Sequence, residues 1–113
     1  MIVSRTGWSF VTPAALVCVL AGTAHAQPAD RAAALSQGIA AAQAAVPNTW
    51  FLKAELEPED GTWIVDVELA PTVGNPVSEV EVNAFTFAIG RTRTKSISSS
   101  NASKNAAEIA AQG

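Results

Sequence analysis

The chain has very few of the side chains on which enzyme and metal chemistry usually depends. Its 113 residues include one cysteine, Cys18, one histidine, His25, and no tyrosine. Both lie in the first 26 residues, a segment with the features of a removable leader. Without that segment the chain has no disulfide, thiol nucleophile, cysteine or histidine metal ligand, or imidazole for a serine triad. We therefore predict no catalytic, cofactor-binding or metal-binding residues.

The leader has the three parts of a secretory signal peptide. Arg5 supplies the positive start, Trp8 to Leu20 is almost wholly apolar, and Ala24 and Ala26 form the small-x-small pattern of a signal-peptidase site. An uncleaved anchor is the poorer interpretation, because the apolar run is shorter than the roughly 20 residues that a bilayer requires and contains a proline. We expect cleavage after Ala26 and a periplasmic or secreted protein without a stable membrane anchor.

Acidic side chains outnumber basic ones, and the formal net charge is −3. Arg5 is the only Lys or Arg in the leader, so residues 27–113 keep six basic and ten acidic side chains. Binding to nucleic acid requires a basic surface that replaces the counterions of the phosphates. The one basic cluster, Arg91 to Lys95, alternates with threonine as a strand would. We therefore expect no nucleic-acid partner.

One amphipathic helix is predicted at the start of the mature domain. Asp30 can cap a helix that begins at Arg31, and Pro47 ends it. The larger apolar residues recur at helical spacing on one face: Leu35, Ile39, Ala42 and Val46. Gly38 inside the helix either marks a close crossing over a sheet or has no structural role.

From Trp50 the apolar residues recur at every second position, as they do in half-buried strands. The inward sets are Trp50, Leu52, Ala54 and Leu56, then Trp63, Val65, Val67 and Leu69. We expect a four-residue turn over Pro58 to Gly61, which sets Leu56 opposite Trp63. The same register sets Lys53 opposite Asp66 and places Trp50 and Trp63 in the interior.

A second hairpin follows a loop from Ala70 to Pro76 that is rich in proline and glycine. Strands are predicted from Val77 to Ala84 and from about Ala88 to Lys95. A reversal around Thr86 gives two cross-strand pairs of opposite charge, Glu79 with Arg93 and Glu81 with Arg91.

The predicted fold is α+β, with one N-terminal helix packed on an antiparallel meander sheet of three or four strands. We divide the chain into a signal peptide (1–26), an α+β domain (27–95), and a serine-rich linker with an alanine-rich tail (96–113). The linker is Ser96 to Ser103, and Ala102 to Gln112 forms a short helix only if it docks.

The sequence of these segments resembles the PepSY domain family. The resemblance lies in the alanine-rich helix, in Lys53 to Glu68 with its acidic Asp-Gly turn, and in Val80 to Thr86, and it covers Ala32 to Arg91. Asn83 stands where the family commonly has Asp, and Phe87 where it has Gly. Because a left-handed backbone at a non-glycine residue costs about 1 to 2 kcal/mol, we expect this turn to be built differently, or replaced by one bulged strand.

The resemblance implies an exported, non-enzymatic module that binds or restrains peptidases or other protein partners of the cell envelope. The residues predicted for the partner surface are Phe51 and Ile64 on the outer sheet face, and Phe85 and Phe87 at the hairpin tip. A structural or oligomeric envelope component is the alternative, because an exposed fourth strand can pair with another molecule. An enzyme with paired carboxylates at Glu55 to Asp60 is disfavoured, because these lie on an exposed turn.

Overall fold

A computed structural model describes residues 26–112. The elements are α1 (Arg31–Ala45), β1 (Trp50–Glu59), β2 (Thr62–Ala70), β3 (Val77–Asn83), β4 (Ile89–Lys95) and α2 (Ser99–Gln112). The strands form one antiparallel sheet in the order β1-β2-β3-β4. The predicted α+β fold is confirmed. The predicted signal peptide, with Ala24, lies outside the described residues except for Ala26, which is exposed.

Helix α1 begins and ends where the sequence predicts. The side chain of Asp30 accepts a hydrogen bond of 2.9 Å from the Ala33 N–H, so it satisfies one of the free donors at the helix start. The helix buries three small residues against the sheet, Ala34, Gly38 and Ala42. A Cβ atom built on Gly38 would lie 2.7 Å from the Cβ of Val65. Gly38 therefore marks a close crossing of helix and sheet.

The sheet face beneath α1, which we call the α1 face, carries the main core. Its largest fully buried side chains are Val65, Val67, Leu69, Val80 and Val82. The predicted helical stripe packs against them, with Leu35, Ile39 and Val46 around the small residues of α1. The alternation of apolar and charged residues thus predicts this face correctly on β2 and β3.

The first hairpin has a tighter turn than predicted. Asp60 and Gly61 have φ angles of 50° and 83°, and the strands continue to Glu59 and Thr62 on either side. A two-residue turn with positive φ at both positions matches the right-handed twist of the strands, which is why Asp-Gly is favoured there. The predicted four-residue turn is wrong, and the register differs by two residues: Leu56 lies opposite Val65.

A register shift in β1 also changes the direction of the first side chains. Phe51 lies opposite Leu69, whereas Lys53 lies opposite Glu68, so Leu52 is an extra residue in β1. Leu52 therefore packs on the outer face of the sheet, the face that points away from α1, and Phe51 packs against the core of the α1 face. Trp50 is 48% exposed, so its predicted place in the interior is wrong.

The second hairpin has the predicted charge pairs. Nη2 of Arg93 lies 2.5 Å from Oε1 of Glu79, and Nε of Arg91 lies 3.9 Å from Oε1 of Glu81. The register shifts between Val80 and Val82, beside Gly90. The alternative of one continuous strand from Val77 to Lys95 is wrong.

The serine-rich segment is mostly helical. Oγ of Ser98 accepts a hydrogen bond of 3.2 Å from the Asn101 N–H, which caps α2 at its start. Ile109, only 5% exposed, packs against Ala70 and Val77 on the outer face. The predicted linker over Ser96 to Ser103 is therefore wrong from Ser99 onward, because serine stabilises a helix start although it is a weak helix former.

Candidate functional site

The turn between β3 and β4 is fixed by one side chain. Oδ1 of Asn83 accepts hydrogen bonds of 2.8 Å from the Phe85 N–H and 2.9 Å from the Thr86 N–H. The backbone of Asn83 also accepts from the Phe87 N–H and donates to the Ala88 carbonyl, each at 2.9 Å. Asparagine side chains fold back on the following backbone in this way at tight turns. The turn is therefore closely defined on both sides of Phe85.

Phe87 occupies a conformation that its side chain disfavours. Its φ angle is 62°, in the left-handed region, where a non-glycine residue is strained by about 1 to 2 kcal/mol. The expectation that the turn would avoid this conformation is wrong. The side chain of Phe87 packs against the main core, and that burial offsets the strain.

The four residues predicted for the partner surface do not lie together. Phe85 is 50% exposed, whereas Ile64 is only 8% exposed. Phe51 and Phe87 are partly buried and pack against the core of the α1 face. The bulge at Leu52 accounts for Phe51, because it turns that side chain toward α1. Phe85 is thus the most exposed of the four.

The sheet face opposite α1, which we call the acidic face, carries a dense set of carboxylates. They are Glu55, Glu57, Glu59, Asp66, Glu68, Glu79 and Glu81. Helix α2 covers the end of this face where Leu52, Ala70 and Val77 lie. The acidic face, which is the outer face described above, is therefore apolar at the end beneath α2 and charged over the rest of its surface.

Asp66 is the most perturbed carboxyl group of the acidic face. Its Oδ1 atom is buried without a hydrogen-bond partner. Burial, then a hydrogen bond with Glu79 and the charges of neighbouring glutamates, raises the pKa of Asp66 to about 7. The same hydrogen bond, helped by Arg93, lowers the pKa of Glu79. Below about pH 7 the pair therefore retains one proton, which resides mainly on Asp66.

The remaining observations limit the chemistry of the described part of the chain. Among residues 26–112, no three His, Cys, Asp or Glu side chains are grouped so that they could hold a metal ion. Helices α1 and α2 are each too short and too polar to cross a bilayer. No protein-family model, curated protein or solved structure matches the chain. The PepSY resemblance therefore stays a prediction.

Sequence reasoning missed two residues of this region, Asn83 and Asp66. Asn83 has a recognisable signal, because asparagine just before a chain reversal commonly bonds the next backbone donors. Asp66 looks like an ordinary outward residue of an alternating strand. Its burial depends on the two strands beside β2, which are β1 and β3, so no local pattern indicates it.

Proposed function

We propose that this chain is an exported, non-enzymatic binding module of PepSY-like type that modulates a peptidase of the cell envelope or a secreted peptidase. The observation that carries the binding part of the proposal is the exposure of Phe85 on a turn fixed by Asn83. Large aromatic side chains are frequent hot spots of protein interfaces. A pre-ordered one loses little conformational entropy on binding.

The surroundings of Phe85 favour the same interpretation. Ala84 is buried and its N–H donates to the Trp63 carbonyl at 3.0 Å, so the chain before Phe85 is held to β2. Phe87, two residues later, is partly buried and packs against the core. Ile89, just beyond the turn, is 41% exposed and adds apolar surface to this end of the sheet.

Export and peptidase modulation rest on the sequence. Export follows from the leader with its predicted site at Ala24 and Ala26. Peptidase modulation follows from the PepSY resemblance. The proposed modulation acts on a separate peptidase molecule, which is what the capture experiment below looks for.

The test replaces Phe85 by serine and compares partner capture with the wild-type protein. Val73→Ser is the matched control, because Val73 is an apolar residue, 70% exposed, in the β2–β3 loop at the other end of β3. Captured envelope proteins are identified by mass spectrometry, and any captured peptidase is assayed with each purified variant.

We expect Phe85→Ser to lose at least about tenfold in affinity for the partner, the loss typical of an interface hot spot. Val73→Ser should capture and modulate as the wild type does. Equal capture by all three proteins would remove Phe85 from the binding surface. Capture of a protein whose peptidase activity does not change would refute the modulation.

A further inference from the structure

The two edge strands of the sheet carry opposite charges on the same face. β1 and β4 are the outer strands of the order β1-β2-β3-β4, and every residue of β4 is exposed. On the acidic face β4 presents Arg91, Arg93 and Lys95. β1 presents Glu55, Glu57 and Glu59 there, and one cation, Lys53, near its start. Edge strands have unpaired backbone groups that can bind another strand. The charges therefore make each edge complementary to the other.

Strand direction allows these two edges to meet between copies. All neighbouring strands are antiparallel, so β1 and β4, at the two ends of a four-stranded sheet, run in opposite directions. If two copies lie side by side in the same orientation, β4 of one is antiparallel to β1 of the next. Helix α1 then lies on the same side of the continued sheet in both copies.

We propose that copies of this chain associate head to tail, with β4 of one copy adding to β1 of the next. In one register every basic side chain of β4 lies opposite a carboxylate of the neighbour's β1. This register sets Arg91 opposite Glu59, Arg93 opposite Glu57, and Lys95 opposite Glu55. Arg91 and Arg93 would then each lie between a carboxylate of β3 in their own chain and a carboxylate of the neighbour's β1. The contact is independent of Phe85 and of the proposed peptidase partner.

The same charges oppose the two symmetric edge contacts. Pairing β4 with β4 sets arginines and lysine against one another, and pairing β1 with β1 sets glutamates against glutamates. Like charges directly opposite each other destabilise a strand pair. The charge pattern therefore favours a heterologous contact, which leaves a free edge at each end and can add further copies.

Features of β1 limit the length of the contact. The Trp63 carbonyl accepts from the Ala84 N–H, so the backbone groups of Trp63 point toward β3, and those of Pro58, opposite Trp63, point outward. Pro58 has no N–H to donate there, which is the usual protection of an edge strand. At the other end the bulge at Leu52 interrupts the strand, and the Phe51 carbonyl accepts from Gln112. A short contact of this kind should be reversible.

Sedimentation of residues 27–113, the chain without its predicted leader, measures the association. We expect the average mass to rise with protein concentration and to fall in about 1 M NaCl, where the Debye length is about 3 Å. Glu57→Lys should weaken association about tenfold, because it sets a cation against Arg93 of the neighbour. Glu108→Lys is the matched control, since it makes the same charge change on an exposed position of α2. A monomer at all concentrations, or equal effects of both variants, would overturn the proposal.

Cross-linking tests the register. Residues 27–113 contain no cysteine, so Glu55→Cys in one preparation and Lys95→Cys in another are the only thiols. These positions face each other as a non-hydrogen-bonded pair, with Cα atoms about 4.5 Å apart, within the range of a disulfide. Oxidation of the mixture should give the mixed dimer well above either homodimer. A preference for the Lys95→Cys homodimer would replace the proposal by symmetric β4 pairing, and cross-linking no faster than for Glu108→Cys would reject both.

Discussion

The two faces of the sheet bury different kinds of side chain and depend on their helices to different degrees. On the α1 face, Val65, Val67 and Leu69 have no exposed surface, and α1 contacts all four strands. On the acidic face, Ile109 is the one buried residue of α2, and it packs against Ala70 and Val77 at one end of the sheet. The difference indicates that α1 is part of the folding core, whereas α2 is an addition whose loss the sheet can survive.

Charge divides the faces in the same way. Alternation sends Asp66 and Glu68 to the face away from α1, and the neighbouring strands bring Glu55 and Glu79 beside them. Only two of the carboxylates on this face, Glu79 and Glu81, pair with arginines. The acidic face therefore carries carboxylates that repel one another and lower the stability of the fold. The apolar side chains buried on the α1 face provide most of the stability. Three predictions test this division.

The largest expected effect comes from Leu69→Ala on the α1 face. Removing a fully buried leucine typically costs 2 to 5 kcal/mol, and we expect about 3 kcal/mol here. Ile109→Ala is the matched truncation on the acidic face. It should cost about 1 kcal/mol, because the loss cannot exceed the docking energy of α2. Urea unfolding followed by far-ultraviolet circular dichroism measures both. Equal losses would show that α2 belongs to the same cooperative unit as α1.

A smaller effect is expected from Gly38→Ala. Alanine favours a helix by about 1 kcal/mol over glycine, but here its Cβ would collide with Val65. We expect the collision to prevail, with a net loss of about 2 kcal/mol in the free energy of unfolding. Ser36→Ala, at an exposed position of α1, should instead be neutral or slightly stabilising. If Gly38→Ala behaves like Ser36→Ala, the α1 face is packed less closely than described.

The smallest expected effect is the pH dependence caused by Asp66. Its pKa is raised from 3.8 to about 7, so the folded protein binds this proton more tightly than the unfolded chain does. The stability from this group is complete below about pH 4 and is lost as the pH rises through about 7. The lowered pKa of Glu79 has the opposite sign, but its contribution is lost only as the pH falls below its ordinary value of 4.5.

Asp66→Asn should therefore raise the free energy of unfolding at pH 8 by about 1 kcal/mol, a value reduced for the partial exposure of this side chain. At pH 5 the folded Asp66 is largely protonated, so the difference between variant and wild type should be clearly smaller than at pH 8, and it should vanish only below about pH 4. Glu68→Gln removes a neighbouring charge on the same strand and should keep the wild-type pH dependence. A constant difference between pH 5 and pH 8 would contradict the assignment to Asp66.

Local patterns predicted the elements and one face correctly. The signals that define α1 are local in the sequence: the Asp30 cap, Pro47 and the apolar stripe at helical spacing each involve residues close together in the chain. The pairs Glu79 with Arg93 and Glu81 with Arg91 could be predicted because opposite charges on adjacent strands restrict the register.

The errors arose where a single residue changes the strand. The observed turn differs from the predicted four-residue turn because β1 continues for two more residues, to Glu59. This extension shifts the register of every residue pair in the first hairpin. The bulge at Leu52 reverses the faces of Phe51 and Trp50, and no local signal in the sequence indicates it. The bulge is also the reason that Phe51, predicted for the partner surface, packs against the core of the α1 face instead.

The register of the first hairpin places its two indole rings at opposite ends of β2, roughly 20 Å apart. Trp50 lies opposite Ala70, beside the end covered by α2, and Trp63 lies opposite Pro58, beside the main core. The chain has no tyrosine, and its third tryptophan, Trp8, belongs to the predicted leader. If the leader is removed, the fluorescence would come from two tryptophans whose emission maxima lie at different wavelengths. The long-wavelength emission of Trp50 would report on α2, and the short-wavelength emission of Trp63 on the core.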